Sequence, residues 1–243
     1  MLKAGYSKSF VLALVAAAGS IGVIIPPSIP MVLYGVSTGT SISNLFLGGI
    51  LPGLLIGAVL ILYAYFYSKK MGWKGNGEKF DARKTLSLIW DAKWALLNPV
   101  IILGGIYAGV FTPTEAAAVA AVYAFICGVI IHRELSPRDI FKTIAGSCAT
   151  TGTVMVILGC ASTFARILTI EQIPAMIADA MLQLPVSPMI LMLVILLLLL
   201  LVGCVMDTTP AILVLSPILF PVAIQMGIDP VHFGLVVTLN LAI

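Results

Sequence analysis

The 243-residue chain is 60% hydrophobic and only 9% charged, with a mean hydropathy of +1.15. Soluble domains carry about 25% charged residues, so a soluble enzyme, a disulfide-stapled secreted domain and a nucleic-acid-binding module are excluded. Thirteen basic against ten acidic residues give a net charge of +3, a total that says less than where the Lys and Arg residues fall.

No Asp, Glu, Lys, Arg or His occurs from Ser9 to Ser68. At about 20 apolar residues per crossing, such stretches predict membrane spans. In chain order the apolar segments are Phe10–Tyr34, Leu45–Tyr67, Trp94–Phe111, Thr114–Ile131, Thr143–Ala165, Met189–Met206 and Ala211–Met226. A last segment, Val231–Ile243, stops before it is complete. The expected fold is an all-α polytopic membrane protein.

The main polar connection, Ser68–Lys93, holds Lys69, Lys70, Lys74, Lys79, Arg83, Lys84 and Lys93. The stretch HRELSPRDIFK adds Arg133, Arg138 and Lys142. The positive-inside rule assigns both to the cytoplasm, which makes Trp94–Phe111 and Thr114–Ile131 an out-and-back pair turning at Thr112-Pro113. It also puts a turn around Gly35–Ser43 outside. Leu86, Ile89, Trp90 and Lys93 recur at helical spacing, predicting a short interfacial helix with Trp94 as an anchor.

Two segments are poor simple spans. IPPSIP (Ile25–Pro30) interrupts the first, because Pro26 and Pro27 remove two successive backbone donors and proline disfavours helix in the residue before it. Asp207-Thr208-Thr209-Pro210 interrupts the run from Met189 to Met226, and Pro210 suits the first turn of a new half-helix. Broken backbone at membrane depth is tolerated only inside protein or beside a wet cavity. Paired broken helices are where many transporters bind substrate and coupling ions. The candidates are therefore Ser20, Gly22, Pro26, Pro27 and Ser28 at the first break, and Asp207, Thr208, Thr209 and Pro210 at the second. Asn240, in the last segment, joins them.

Other features have plainer readings. Glu115 either fits the first turn of a helix capped by Thr112 or Thr114 or has a transport role, and Arg166 either snorkels to an interface or has a role of its own. Gly49, Gly53 and Gly57, like Gly105 and Gly109, are spaced for close helix packing. Cys127, Cys148, Cys160 and Cys204 read as small core hydrophobes, with no metal-ligand spacing among them. No phosphate-binding loop is present, and an intramembrane enzyme would have only Glu115, Arg166 and Asp207 as chemistry. A scaffold subunit that transports nothing would explain the glycine faces but leave both breaks without a purpose.

Three blocks, Gly19–Leu55 (GSIGVIIPPSIPMVLYGVSTGTSISNLFLGGILPGLL), Gly104–Ala124 (GGIYAGVFTPTEAAAVAAVYA) and Met206–Ile243, closely resemble the large membrane subunit of tripartite ATP-independent periplasmic (TRAP) transporters, the DctM-like family. The resemblance implies an inverted-repeat, elevator-type transporter with broken helices and re-entrant hairpins in the bacterial inner membrane. It implies sodium-coupled import of organic acids such as C4-dicarboxylates or sialic acids, with sodium as the coupling ion and no other cofactor. The implied partners are a small DctQ-like membrane subunit and a periplasmic solute-binding protein. It further implies that Met1 is an internal position: residues 1–67 would end the first repeat, 68–93 form the cytoplasmic connection, and 94–243 a second repeat truncated at its C-terminal end.

Overall fold

The computed structural model describes residues 1–2, 5–73, 81–133, 135–182 and 187–243. Lys74 and Lys79 of the basic connection lie outside them. Among the described residues the regular structure is helical, and four helices are long and apolar enough to cross a membrane, or six if two bent pairs each count as one span. The chain is an all-α polytopic membrane protein. It forms two compact units, Met1–Val11 with Ala64–Thr151, and Leu12–Tyr63 with Gly152–Ile243.

In the first unit, Phe10 of α1 (Lys8–Ile24) stacks on Tyr67 of α3 (Ile42–Lys70) at 4.8 Å, and Trp73 lies 5.2 Å from Phe10. The short helix expected after the basic connection exists as α4 (Ala82–Asp91), with the Asp81 carboxylate accepting from the Arg83 and Lys84 backbone N–H groups. Its Leu86, Leu88, Ile89 and Trp90 are exposed. The Lys93 Nζ sits 4.2 Å from the Trp90 ring centroid, a cation–π contact, and α5 (Lys93–Tyr107) leaves at 65° to α4.

The turn expected at Thr112-Pro113 is a capping box opening α6 (Pro113–Ile126). The Glu115 carboxylate accepts from the Thr112 N–H at 2.8 Å, and the Thr112 hydroxyl accepts from the Glu115 N–H at 3.3 Å. Glu115 is therefore explained as a reciprocal cap. The far end of this hairpin is closed by the Tyr123 hydroxyl, which donates to the Trp94 carbonyl at 2.8 Å. Gly109 has φ +71°, so its glycine serves a left-handed turn rather than the packing face expected of it. A π-helical turn, Cys127–Ile131, extends α6.

In the second unit, α10 (Thr208–Gln225) packs on α2 (Ile29–Thr38), α8 (Ile173–Leu182), α9 (Pro188–Gly203) and α11 (Pro230–Leu241). Met31, Tyr34, Leu45, Phe46, Ile212, Val222, Phe233 and Val237 form its buried core. The remaining helix, α7 (Pro137–Ile170), begins five residues before the last basic residue of HRELSPRDIFK, so Arg138 and Lys142 lie in its opening turns rather than in a loop. Ser136 and Asp139 explain the early start by exchanging side-chain and backbone hydrogen bonds. Likewise α2 continues past Tyr34 to Thr38 and is ended by Gly39 at φ +73°. The expected turn over Gly35–Ser43 thus shrinks to residues 39–41. Of the four cysteines only Cys127 is buried; Cys148, Cys160 and Cys204 are exposed, which corrects the core reading for those three.

Candidate functional site

Both interruptions anticipated from proline and hydroxyl clusters occur. At the first, α1 ends at Ile24, α2 begins at Ile29, and the two helices are bent by 44°. The Pro26–Pro27 peptide bond is cis. Ser28 is only 2% exposed and caps α2, its hydroxyl accepting from the Met31 N–H at 3.4 Å. Pro26 is buried, whereas Pro27 and Gly22 are exposed. Ser20 turns its hydroxyl back onto the Ala17 carbonyl at 2.8 Å, which spends its proton within α1.

What holds this break is α3. A Cβ at Gly49 would lie 2.7 Å from the Met31 Cε and 2.9 Å from the Ile24 carbonyl oxygen. At Gly53 it would lie 2.5 Å from the Ile25 Cγ1. Two of the three spaced glycines therefore form the bed on which the broken segment rests. The third, Gly57, has only Ile21 at 3.9 Å.

At the second break Asp207 is the N-cap of α10, its carboxylate accepting from the Thr208 N–H at 2.9 Å. Asp207 is exposed, while Thr209 and Pro210 are half-buried. The Thr208 hydroxyl donates to the Leu241 carbonyl at 3.0 Å, tying the start of α10 to the end of α11. A Cβ at Gly203, where α9 ends, would lie 3.3 Å from the Leu241 Cα and 3.6 Å from the Asn240 carbonyl oxygen. The fold thus gathers Gly203, Thr208, Asn240 and Leu241 at one place. The Asn240 contact there is through its backbone; its side-chain Oδ1 is buried without a hydrogen-bond partner among the described residues. An unpaired buried oxygen is costly, and it leaves lone pairs available to a cation or donor.

The two breaks do not meet. α2 runs along α10 from the level of Phe220, whose ring lies 6.3 Å from that of Tyr34, to the level of Leu213 and Pro217, which share a cavity with Val36 and Ser37. Ser28 is at the end of α2 away from Leu213, and Asp207 lies beyond Leu213 at the start of α10. The Tyr34 hydroxyl secures this arrangement by donating to the Pro230 carbonyl at 3.0 Å, across 196 residues of sequence. No local pattern points to that pairing or to the Thr208–Leu241 bond. Arg166, left with two readings by sequence, lines the same cavity as Ser37.

The chain is 49% identical over its whole length to the isethionate TRAP transporter permease protein DctMQ of Oleidesulfovibrio alaskensis, covering 38% of that protein. It is 41% identical to the C4-dicarboxylate TRAP transporter large permease protein DctM of Pseudomonas aeruginosa, and 41% identical to the sialic acid TRAP transporter large permease protein SiaM of Vibrio cholerae. In each of these two cases it covers 57% of the relative. The chain therefore spans between about two fifths and three fifths of the length of these relatives. The model of the tripartite ATP-independent periplasmic transporter, DctM component, matches residues 1–243, and the chain belongs to that family.

Proposed function

We propose that this chain is part of the large permease subunit of a sodium-coupled secondary importer of organic acids in a bacterial inner membrane. It is a carrier component and not an enzyme. It works with a small DctQ-like membrane subunit and a periplasmic solute-binding protein. Residues 1–67 and 94–243 belong to its two inverted repeats, joined by the cytoplasmic connection 68–93.

The observation that carries this reading is the second break: a capped helix start, the Thr208 hydroxyl on the Leu241 carbonyl, and, one residue before Leu241 in α11, an Asn240 whose buried Oδ1 has no hydrogen-bond partner among the described residues. Sodium is a hard cation that takes oxygen ligands, and unwound backbone supplies carbonyls at the places where transporters bind it. Asn240, with oxygens of Asp207, Thr208 and Thr209 and the backbone around Pro210, provides such a set. The first break, Ser20–Ser28, leaves Gly22 and Pro27 exposed while α3 holds it in shape. The relatives are named for isethionate, C4-dicarboxylates and sialic acid. All three are anionic acids, and an organic acid is the shared substrate class taken here.

The test is uptake into liposomes containing the complete permease and small subunits, with the binding protein and a labelled acid supplied outside. Uptake is expected only with an inward sodium gradient. Equal uptake without any gradient, or uptake that requires ATP, would overturn the reading.

A further inference from the structure

Within the second unit a cavity of about 350 Å³ opens between α2, α7 and α10. That is the size of a small-ligand pocket, whose usual range is about 300–1,000 Å³. Its α7 wall is one helical stripe, Leu158, Ala161, Ser162, Ala165, Arg166 and Thr169, in which three small side chains leave the room. Ser37 of α2, with Leu213 and Pro217 of α10, faces them.

The polar groups divide into two kinds. The Arg166 guanidinium has neither an ion pair nor a hydrogen bond among the described residues, and neither does the Ser162 hydroxyl. Both therefore have donors to offer. The Ser37 hydroxyl already donates to the Tyr34 carbonyl at 3.0 Å, and that of Thr169 to the Ala165 carbonyl at 2.8 Å. With their protons in use, these two oxygens present lone pairs and act as acceptors. Arg166 and Ser162 are exposed along this wall, so their donors are open to a solute, and an ionisable residue within an apolar membrane helix by default marks a functional site. Arginine's fork also matches a planar or tetrahedral oxyanion.

We infer that this cavity holds the acid group of the transported solute. Arg166 and Ser162 bind the carboxylate or sulfonate, and Ser37 and Thr169 accept from a hydroxyl or amide on the same molecule. The inference rests on the organic-acid reading above and adds to it the anion's anchor and a preference for acids that carry a second, hydrogen-donating group. Arg166 is then a specificity-determining residue, and the cavity is separate from the sodium oxygens at the second break.

The experiment compares the wild-type complete transporter with Arg166→Gln, Arg166→Lys and Ser162→Ala, using isethionate, succinate, malate and N-acetylneuraminate as probes. The apparent KM for the best probe should rise about 10- to 100-fold in Arg166→Gln, the loss expected for a charged hydrogen-bonded contact. It should rise less in Arg166→Lys and only about 3- to 10-fold in Ser162→Ala. Half-saturating sodium should stay within about twofold of wild type, which a merely misfolded carrier would not preserve. Malate should be favoured over succinate. A KM within twofold of wild type in both Arg166→Gln and Ser162→Ala would overturn the inference while leaving sodium-coupled uptake standing. If Arg166→Gln does not reach the membrane, Ser162→Ala and Arg166→Lys decide alone. If the wild type transports none of the probes, calorimetric binding of the same four acids to the purified complex decides: binding lost in Arg166→Gln supports the site, and binding unaffected or absent overturns it.

Discussion

The two helix breaks share a sequence signature, proline beside hydroxyl residues, yet they are held by different physics. The first is a packed break: Pro26 and Ser28 are buried, and the glycine bed of α3 admits Ile24, Ile25 and Met31 within van der Waals reach. The second is a hydrogen-bonded break: Asp207 is exposed, a bond from Thr208 to Leu241 ties it to α11, and the buried side-chain oxygen of the adjoining Asn240 lacks a partner among the described residues. Packing shapes a segment without leaving polar atoms free, whereas an incompletely satisfied polar cluster keeps valence for a ligand. Shape at one break and valence at the other is what a carrier needs if the solute pathway and the ion site are distinct.

The sharpest way to break this contrast is to fill the glycine bed. Gly49→Val places a branched side chain against the Met31 thioether and the Ile24 carbonyl. It should destabilise the protein by about 1–3 kcal/mol, the usual range for overpacking, seen as a large fall in the detergent melting temperature. An unchanged melting temperature would mean that α3 does not support the first break. A smaller effect belongs to the second break. Asp207→Ala removes a cap typically contributing about 1 kcal/mol and should lower uptake while membrane insertion, followed by quantitative blotting of the membrane fraction, stays normal. Unchanged transport would leave Asp207 as a structural cap alone. The smallest change is Tyr34→Phe, which deletes the hydrogen bond to the Pro230 carbonyl. Hydrogen bonds inside membrane proteins average about 0.6 kcal/mol, so the melting temperature should fall slightly and sodium dependence should not move.

Where the helices break was legible in the sequence, because these signals act locally: the paired prolines of IPPSIP remove successive backbone donors, and in DTTP Asp207 caps a new helix that takes Pro210 in its first turn, whereas the single Pro52, Pro99, Pro217 and Pro221 lie inside helices. The capping of α6 by Thr112 and Glu115 was legible for the same reason, as a reciprocal pair three residues apart. What each break rests on was not. Gly49 and Gly53 show a packing face but not its occupant, and the Thr208–Leu241 and Tyr34–Pro230 bonds join residues 33 and 196 positions apart. Gly35 shows a further limit of local reading. It resembles a turn glycine, but it lies buried within α2, where a Cβ would come within 2.9 Å of the Thr40 carbonyl oxygen. Close approach and chain reversal both call for glycine, so residue type alone does not separate them. Arg166 follows the same logic: its cavity depends on Ser37, brought alongside by the packing of α2 on α10.

The most direct measurement is the sodium concentration for half-maximal uptake by the complete transporter, compared between Asn240→Ala and Ser28→Ala. Removing one oxygen worth about 1.4 kcal/mol corresponds to tenfold, so Asn240→Ala should raise that concentration about tenfold, while Ser28→Ala leaves it within about twofold. An unshifted value in Asn240→Ala, or a larger shift in Ser28→Ala, would contradict the assignment of the ion to the open, hydrogen-bonded break.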